Sequence, residues 1–192
     1  NTGNRTGWQF NVTWALPASS IAFVDAAGKN KGVRIVDVNG DEMPDIVKKT
    51  TTETLTYLSN ATKGYLLQTV VYEYGGNETF AYNSSTKFNE TGNTSLDTMN
   101  FNLWLVTNVT RNNTMSGAQN QFYSRLYNYS YGQYDPRARQ FRGFGFVVEQ
   151  NNDTVVKHYF LQDDARAGRE YVTTVLGANG TVYQNATANW VV

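Results

Sequence analysis

Short apolar runs of β-branched and aromatic residues recur along the whole chain, separated by turns rich in Gly, Asn and Asp. Runs of this length and composition favour β-strands, and no segment shows the sustained 3.6-residue spacing of an amphipathic helix. The pattern therefore predicts an all-β fold built of antiparallel sheets. The predicted strands are Ile21 to Val24, Val33 to Val38, Thr54 to Leu58, Tyr65 to Tyr74, Thr79 to Tyr82, Leu103 to Thr110, Gln121 to Tyr131, Gln140 to Glu149, Thr154 to Leu161, Tyr171 to Leu176 and Thr181 to Val191.

Turn signals between these runs divide the chain further. Asn179-Gly180 between two apolar runs predicts a hairpin, and the segment before residue 65 is punctuated by Gly and Asp, whereas longer Tyr, Val and Phe runs follow it. We therefore expect two domains, residues 1–64 and residues 65–192.

Composition excludes several classes of function. Sixteen basic residues balance sixteen acidic ones, so no net field attracts nucleic acid or an anionic membrane surface. The chain has no cysteine, which excludes disulfides, thiolate metal sites and a cysteine nucleophile. No apolar run reaches the ~20 residues that span a bilayer, so we expect no membrane insertion.

The segment DVNGDEMPD, residues 37–45, has the spacing of a calcium loop. Asp37, Asn39, Asp41 and Asp45 occupy relative positions 1, 3, 5 and 9, and the carbonyl of Met43 supplies position 7. Several hard oxygens at alternate positions of a tight loop suit Ca²⁺, and the flanking runs VRIV and IV place the loop between two strands. The alternative is an Asx-rich turn whose side chains bond their own backbone.

The stretch YDPRARQFRGFGFV, residues 134–147, gathers arginines beside Phe-Gly pairs. Glycines at alternate positions of a strand, Gly143 and Gly145, leave one face open to a close neighbour and permit a bulge. Phe144 then shares a face with Phe146, and Phe141 lies opposite unless a bulge intervenes. Arg142 and the neighbouring arginines are expected to bind aspartates and aromatic rings. An anion site built from these arginines is the alternative.

Four segments of the chain resemble known protein families. GVRIVDVNGDEMPDIV resembles the calcium loop of FG-GAP-type β-propeller repeats. Three later segments resemble the shell region of Rhs/YD-repeat proteins and of the SpvB-like B component of insecticidal Tc toxins. They are FNLWLVTNVT, YSYGQYDPRARQFRGFGFVVE and KHYFLQDDARAGREYVTTVLGANGTVYQ.

The resemblance implies the end of a β-propeller or FG-GAP-like segment followed by a curved shell-like or sandwich-like β-sheet. In that family the region begins a hollow shell around a toxic segment, so the resemblance implies a scaffold role. Two positions depart from the family pattern, since Glu42 stands where the calcium loop usually has Gly and Leu161 where a His commonly follows.

Enzymatic chemistry finds little support in the sequence. His158 is the only histidine, lies within a predicted strand and has no nucleophile motif beside it. Asp163 and Asp164 are adjacent, so on a strand they would point to opposite faces. We predict that the protein is not an enzyme.

Asn-X-Ser/Thr sequons are far more frequent than composition explains. With 22 Asn and 32 Ser plus Thr in 192 residues, random placement would give about four sequons, and the chain has thirteen. Asn128, among strand tyrosines, is the one expected to stay bare. The others are Asn4, Asn11, Asn60, Asn77, Asn83, Asn89, Asn93, Asn108, Asn112, Asn152, Asn179 and Asn185.

Together these observations predict a non-enzymatic, heavily N-glycosylated, secreted or cell-surface β-scaffold that binds calcium. Its expected partners are copies of itself, as in a filament, or flanking segments of a longer β-shell chain. A glycan- or protein-binding adhesion module is the alternative.

Overall fold

The computed structural model describes residues 21–61, 63–89, 99–115 and 121–191. These residues form eleven antiparallel strands, and their only helical element is the 3-10 turn Ser85–Lys87. The predicted all-β antiparallel fold is therefore confirmed. The chain divides into two compact units between residues 62 and 63.

The first unit contains a three-stranded sheet with the order β1-β2-β3. Val33, opposite Lys48, is only 1% exposed and forms the small apolar core with Ile21. The strands are β1 (Val33–Val36), β2 (Asp45–Lys49) and β3 (Thr54–Tyr57).

The strand predicted for Ile21 to Val24 is wrong. Only an isolated bridge joins Val24 to Asn30, because the Asp25 carboxylate accepts the N–H groups of Ala27 and Lys29 and turns the chain there. Side-chain bonding of this kind competes with strand pairing.

The second unit is an eight-stranded meander in which each strand pairs with the next one along the chain. Its connections are therefore hairpins or longer loops between neighbouring strands. The strands are β4 (Thr69–Val71), β5 (Asn77–Ser84), β6 (Trp104–Asn112), β7 (Phe122–Asp135), β8 (Gln140–Gln150), β9 (Thr154–Phe160), β10 (Glu170–Gly177) and β11 (Val182–Thr187).

The long strand predicted for Tyr65 to Tyr74 shrinks to β4. Tyr65 has a positive φ of 66°, and a turn closed by the bond from the Gly75 N–H to the Tyr72 carbonyl ends the strand. β5 then begins at Asn77, two residues before the predicted start at Thr79.

The described residues of the meander form a single layer over most of its extent. Among the described residues of this unit, Met99 is the only buried apolar side chain, whereas Phe122, Leu126 and Tyr183 are 63%, 49% and 63% exposed. A sheet in an ordinary domain buries at least one face against a second layer. In this unit the backbone hydrogen bonds between strands therefore contribute a larger share of the stability than they do in a layered domain.

One aromatic cluster covers the part of β7 and β8 that extends beyond β6. Its members meet mostly edge to face, with ring centroids 5.1 to 5.7 Å apart. Met99 packs beside it against Gly132, where a Cβ would lie 2.5 Å from the methionine sulfur. The cluster consists of Phe88, Phe101, Tyr129, Tyr134, Phe141 and Phe144.

Gly28 and Gly32 offer a matched test of the packing in the first unit. Both have φ near 80°, but a Cβ on Gly32 would overlap the Lys49 carbonyl, whereas a Cβ on Gly28 meets nothing within 4 Å. Gly28→Ala should cost about 1 to 2 kcal/mol from backbone conformation alone. Gly32→Ala should cost about 1 to 3 kcal/mol more, because it adds overpacking. Urea unfolding measures both, and equal losses would contradict this account.

Candidate functional sites

A β-bulge at Arg142 organises the turn end of the β7–β8 hairpin. Gln133 pairs with Gly143 and Tyr134 with Phe141, so Arg142 is an extra residue without a directly opposite partner. Gly143 takes a φ of 87°, a conformation that glycine adopts without strain. The bulge turns Phe141 to the side of Phe144, and their rings meet at 5.6 Å.

The bulge directs the Arg142 guanidinium to two aspartates. Its Nη2 donates to Asp135 Oδ2 at 2.8 Å and to Asp164 Oδ1, although the residue is only 5% exposed. The hydrogen bond from Arg142, helped by the N–H groups of Ala138 and Arg137, lowers the pKa of Asp135 to about 2. The same bond raises the pKa of Arg142.

An open cavity of ≈ 930 Å³ lies beside this ion pair. Arg166 and Asp163, on its rim, are bonded to each other at 2.9 Å, and this bond lowers the pKa of Asp163. Three arginines thus face three aspartates, so the cavity has no net positive field for an anion. The geometry favours the structural interpretation of these arginines. The cavity is lined by Gln133, Asp135, Pro136, Arg137, Arg142, Gln162, Asp163, Asp164, Ala165 and Arg166.

Gly143 and Gly145 serve different purposes. A Cβ on Gly145 would lie 2.7 Å from the Gln162 side chain, whereas a Cβ on Gly143 meets nothing within 4 Å. The expected close neighbour therefore exists only at Gly145, and Gly143 is needed for its conformation. Gln162 donates to the carbonyls of Tyr131 and Gly143 at 2.7 and 2.9 Å. The sequence analysis missed Gln162, because no motif marks it.

The 37–45 loop is held together by its own side chains. Asp37 accepts the N–H groups of Gly40, Asp41 and Glu42 at 2.7, 3.2 and 2.8 Å. Asn39 donates to the Asp41 carboxylate at 2.8 Å. Glu42 adopts the left-handed conformation with a φ of 64°, so the turn that usually needs glycine forms with a glutamate.

Asp45 connects the loop to the segment after β3. Its carboxylate is fully buried and accepts the N–H of Val38 at 3.0 Å and that of Ser59 at 2.7 Å. Unpaired buried carboxylates are costly, and these two bonds satisfy both oxygens. Asp45 is thus a structural element of the first unit whether or not a metal binds.

The donor chemistry of the loop fits Ca²⁺ in part. Asp37 Oδ1 already accepts two N–H groups. Asp37 Oδ2 and both Asp45 oxygens accept one N–H each and retain a second lone pair for a cation, and Asn39 and the Met43 carbonyl add neutral oxygens. No three His, Cys, Asp or Glu side chains of the described residues gather as a metal site by themselves. Asn39 and Met43 would therefore have to complete the ligand set, and calcium binding remains a prediction.

His158 lies in a structural hydrogen-bond network on β9 and β10. Its Nδ1 lies 2.7 Å from Glu170 Oε1, the same oxygen that accepts the Thr173 hydroxyl. Thr173 thus bonds to the carboxylate and not to the imidazole, which is not the nucleophile-base geometry of a hydrolase.

The sequon asparagines that lie in described residues are all at least partly accessible to solvent. Asn60, Asn89, Asn152 and Asn179 are exposed outside the strands, and Asn128 is exposed within β7. Asn4, Asn11 and Asn93 lie outside the described residues. The remaining five, all within strands, are Asn77, Asn83, Asn108, Asn112 and Asn185.

A family model and a solved structure are similar to this chain. The family model "Insecticide toxin TcdB middle/N-terminal region" matches residues 16–167. A solved structure of TcdB2-TccC3 without its hypervariable C-terminal region is similar in fold, with a TM-score of 0.62 and 16% identity. The similarity covers 80% of this chain and 11% of that one. No curated protein matches the sequence.

Among the described residues, no helix is long and apolar enough to cross a membrane.

The Asp135–Arg142 pair should make stability depend on acid. The folded pKa of Asp135, about 2, lies below the ~3.9 of an unfolded aspartate. Its stabilising effect is therefore complete above about pH 4 and is lost as the pH falls toward 2. Melting temperatures between pH 5 and 2 should fall less for Asp135→Asn than for the parent protein.

Asp153→Asn is the control for that measurement, because Asp153 is exposed and forms no ion pair with the described residues. It should keep the acid sensitivity of the parent. Part of the sensitivity should survive in Asp135→Asn, because the pKa of Asp163 is also lowered. Identical acid profiles for the parent and Asp135→Asn would contradict the assignment.

Calcium should stabilise the first unit if the 37–45 loop binds it. Ligand at a hundredfold excess over Kd adds about 2.7 kcal/mol to the free energy of unfolding. Chelation should lower the melting temperature, and Asp41→Ala should abolish that response. Asp25→Ala removes a turn-forming carboxylate outside the loop and should retain the response. A melting temperature unaffected by chelator would refute calcium binding.

Proposed function

This chain belongs to the family of the insecticide toxin TcdB middle/N-terminal region, and on that basis we propose that it forms part of the wall of a larger β-shell. In this proposal the protein is a non-enzymatic scaffold of the Tc-toxin and Rhs/YD-repeat type. It acts by enclosing or by supporting other segments, and not by catalysis. The chain spans 11% of the length of the matched TcdB2-TccC3 chain.

The observation that carries the proposal is the single-layer meander. Eight strands follow one another in chain order, and Met99 is the only buried apolar residue among those described in this unit. A freestanding domain of this size would bury a core between two layers. A shell wall, by contrast, is stabilised by pairing with further strands at its edges and by the segments that contact its two faces.

The two edges of the meander fit that role. β4 and β11 are the terminal strands of the sheet, and all residues of β11 are exposed. An unprotected edge strand is a template for further pairing. We infer that flanking segments of a longer chain, or other copies, extend the sheet at these edges.

The proposal includes an extracellular location and a glycan coat. Thirteen sequons in 192 residues are hard to explain unless the chain meets N-glycosylation machinery, and glycans would keep a neutral, tyrosine-rich surface soluble. Calcium bound in the 37–45 loop would rigidify the first unit in the same environment.

β11 allows a direct test of edge extension. Ala188 donates its N–H to the Tyr171 carbonyl, and hydrogen-bonding positions alternate along an antiparallel strand. The Thr187 N–H, one residue earlier, therefore points away from β10 toward the open edge. Thr187→Pro removes this N–H, whereas Thr187→Val keeps it, and both changes destroy the Asn185 sequon.

In the intact natively sourced protein, electron microscopy should show a hollow particle with this sheet in its wall. Thr187→Pro should open or abolish the particle, and Thr187→Val should leave it closed. Normal particles from both variants would refute extension at β11. A compact globular particle or a filament from the unmodified protein would refute the shell itself.

A further inference from the structure

Strand register places residues far apart in sequence on the same face of the meander. Residues that lie directly opposite each other in a sheet point to the same side, and side chains alternate sides along a strand. One continuous row crosses five strands and contains two sequon asparagines. Its members are Asn128, Val148, Lys157, Thr174 and Asn185.

A second row, at the other end of the sheet, belongs to the same face. Asn112 lies opposite both Asn77 and Phe122. Phe122 is six positions before Asn128 on β7, an even separation, so the alternation puts it on the face of the first row. Asn77 and Asn112 therefore share that face with Asn128 and Asn185.

The last two strand asparagines follow from the same rows. Asn108 lies opposite Leu126, two residues before Asn128 on β7, and opposite Ala81 on β5. Asn83 follows Ala81 by two residues, and the extra residue of the intervening bulge lies in β6, between the paired Val106 and Asn108. The alternation along β5 is therefore unbroken.

All six asparagines in the strands of this sheet begin sequons, and all six lie on this face, which we call the sequon face. Six residues placed independently on two faces would coincide on one face about once in 32 trials. The Ser or Thr at the third sequon position shares the face where it lies in the same strand, because the sequon spacing equals the strand period.

Hydrogen bonding does not occupy the asparagine Nδ2 atoms in the bonds that four of these residues form. Asn108 and Asn185 use Oδ1 to accept the hydroxyls of Ser124 and Thr174, at 2.9 and 3.1 Å. Asn83 and Asn112 likewise use Oδ1, toward backbone N–H groups. In each of these four bonds the Nδ2 atom, which carries the sugar in an N-glycan, stays uninvolved.

The opposite face has a different chemistry. It carries the ion pairs Glu78–Arg111 and Arg125–Glu149, at 3.2 and 3.1 Å. The Arg125 guanidinium also lies 5.3 Å from the centre of the Tyr123 ring. The sequon face instead carries a shallow groove of ≈ 360 Å³, whose lining includes Asn83, Leu126 and Asn128. A glycan on this face could cover its exposed apolar side chains, such as Leu126 and Phe122.

We propose that the sequon face is the N-glycosylated outer surface of the sheet, modified at Asn77, Asn83, Asn108, Asn112, Asn128 and Asn185. The assignment rests on the proposed extracellular glycoprotein and adds which surface bears the sugar. It revises the expectation that Asn128 stays bare, because Asn128 is exposed and lies in the same row as Asn185. The opposite face, which carries the ion pairs Glu78–Arg111 and Arg125–Glu149 and which we call the charged face, is left free of carbohydrate.

Glycopeptide mass spectrometry of the natively sourced protein tests the assignment. Glycans at most of the six strand sequons, Asn128 included, are the expected result. Glycans confined to loop sequons such as Asn152 and Asn179 would overturn the outer-face assignment and leave the glycoprotein proposal standing. A protein without any glycan would overturn both.

Two sequons introduced into β8, one on each face, test whether the sheet tolerates a glycan on one face and not on the other. Val148→Asn with Gln150→Thr creates a sequon on the sequon face, and Val147→Asn with Glu149→Thr creates one on the charged face. In the glycosylating host, the first pair should leave the yield of folded protein unchanged, and the second should lower it severalfold.

Val147→Gln with Glu149→Thr is the control for the second pair, because it removes the same side chains without adding a glycan. It should restore most of the lost yield. Equal yields of folded, glycosylated protein from the two sequon pairs would overturn the assignment, and so would a control that is as poor as the charged-face sequon.

Discussion

The antiparallel hydrogen-bond ladder that runs unbroken from β4 to β11 is the interaction on which the second unit depends. Most of its strands bury neither face completely, so cross-strand pairs and backbone bonds supply cohesion that a sandwich would obtain from its core. The aromatic cluster around Phe141 and Phe144 is the exception, and it lies where β7 and β8 have lost β6 as a neighbour. Extra packing thus occurs where β7 extends beyond its pairing with β6.

The bulge at Arg142 links this local packing to the charge network. Without the extra residue, Phe141 would leave the cluster, because the faces alternate along a strand. With it, the aromatic side chains gather on one side while the guanidinium reaches Asp135 and Asp164. One insertion in the register therefore serves both the apolar and the ionic contacts of the hairpin.

Strands with long β-branched or aromatic runs, such as β8 and β9, could be predicted from sequence within a residue or two, because both signals agree there. The limits of β4 and the loss of the strand at Ile21 could not, because they depend on particular turns, one closed by a backbone bond at Gly75 and the other by the Asp25 carboxylate. In the candidate sites, the pairing of the arginines with aspartates follows from composition. The contacts of Gln162 do not, because they join three segments through the bulge geometry. The sharing of one face by the sequons could not be predicted from sequence either, since it requires the register of six strand pairs.

The meander order has a consequence for how the chain is made. Because strand order in the sheet equals strand order in the sequence, every new strand finds its partner in the segment that has just left the ribosome. Such pairings have short loops to close and low contact order, which favours rapid folding. The sheet can therefore grow vectorially during translation, with a single advancing edge exposed to misassociation at any moment.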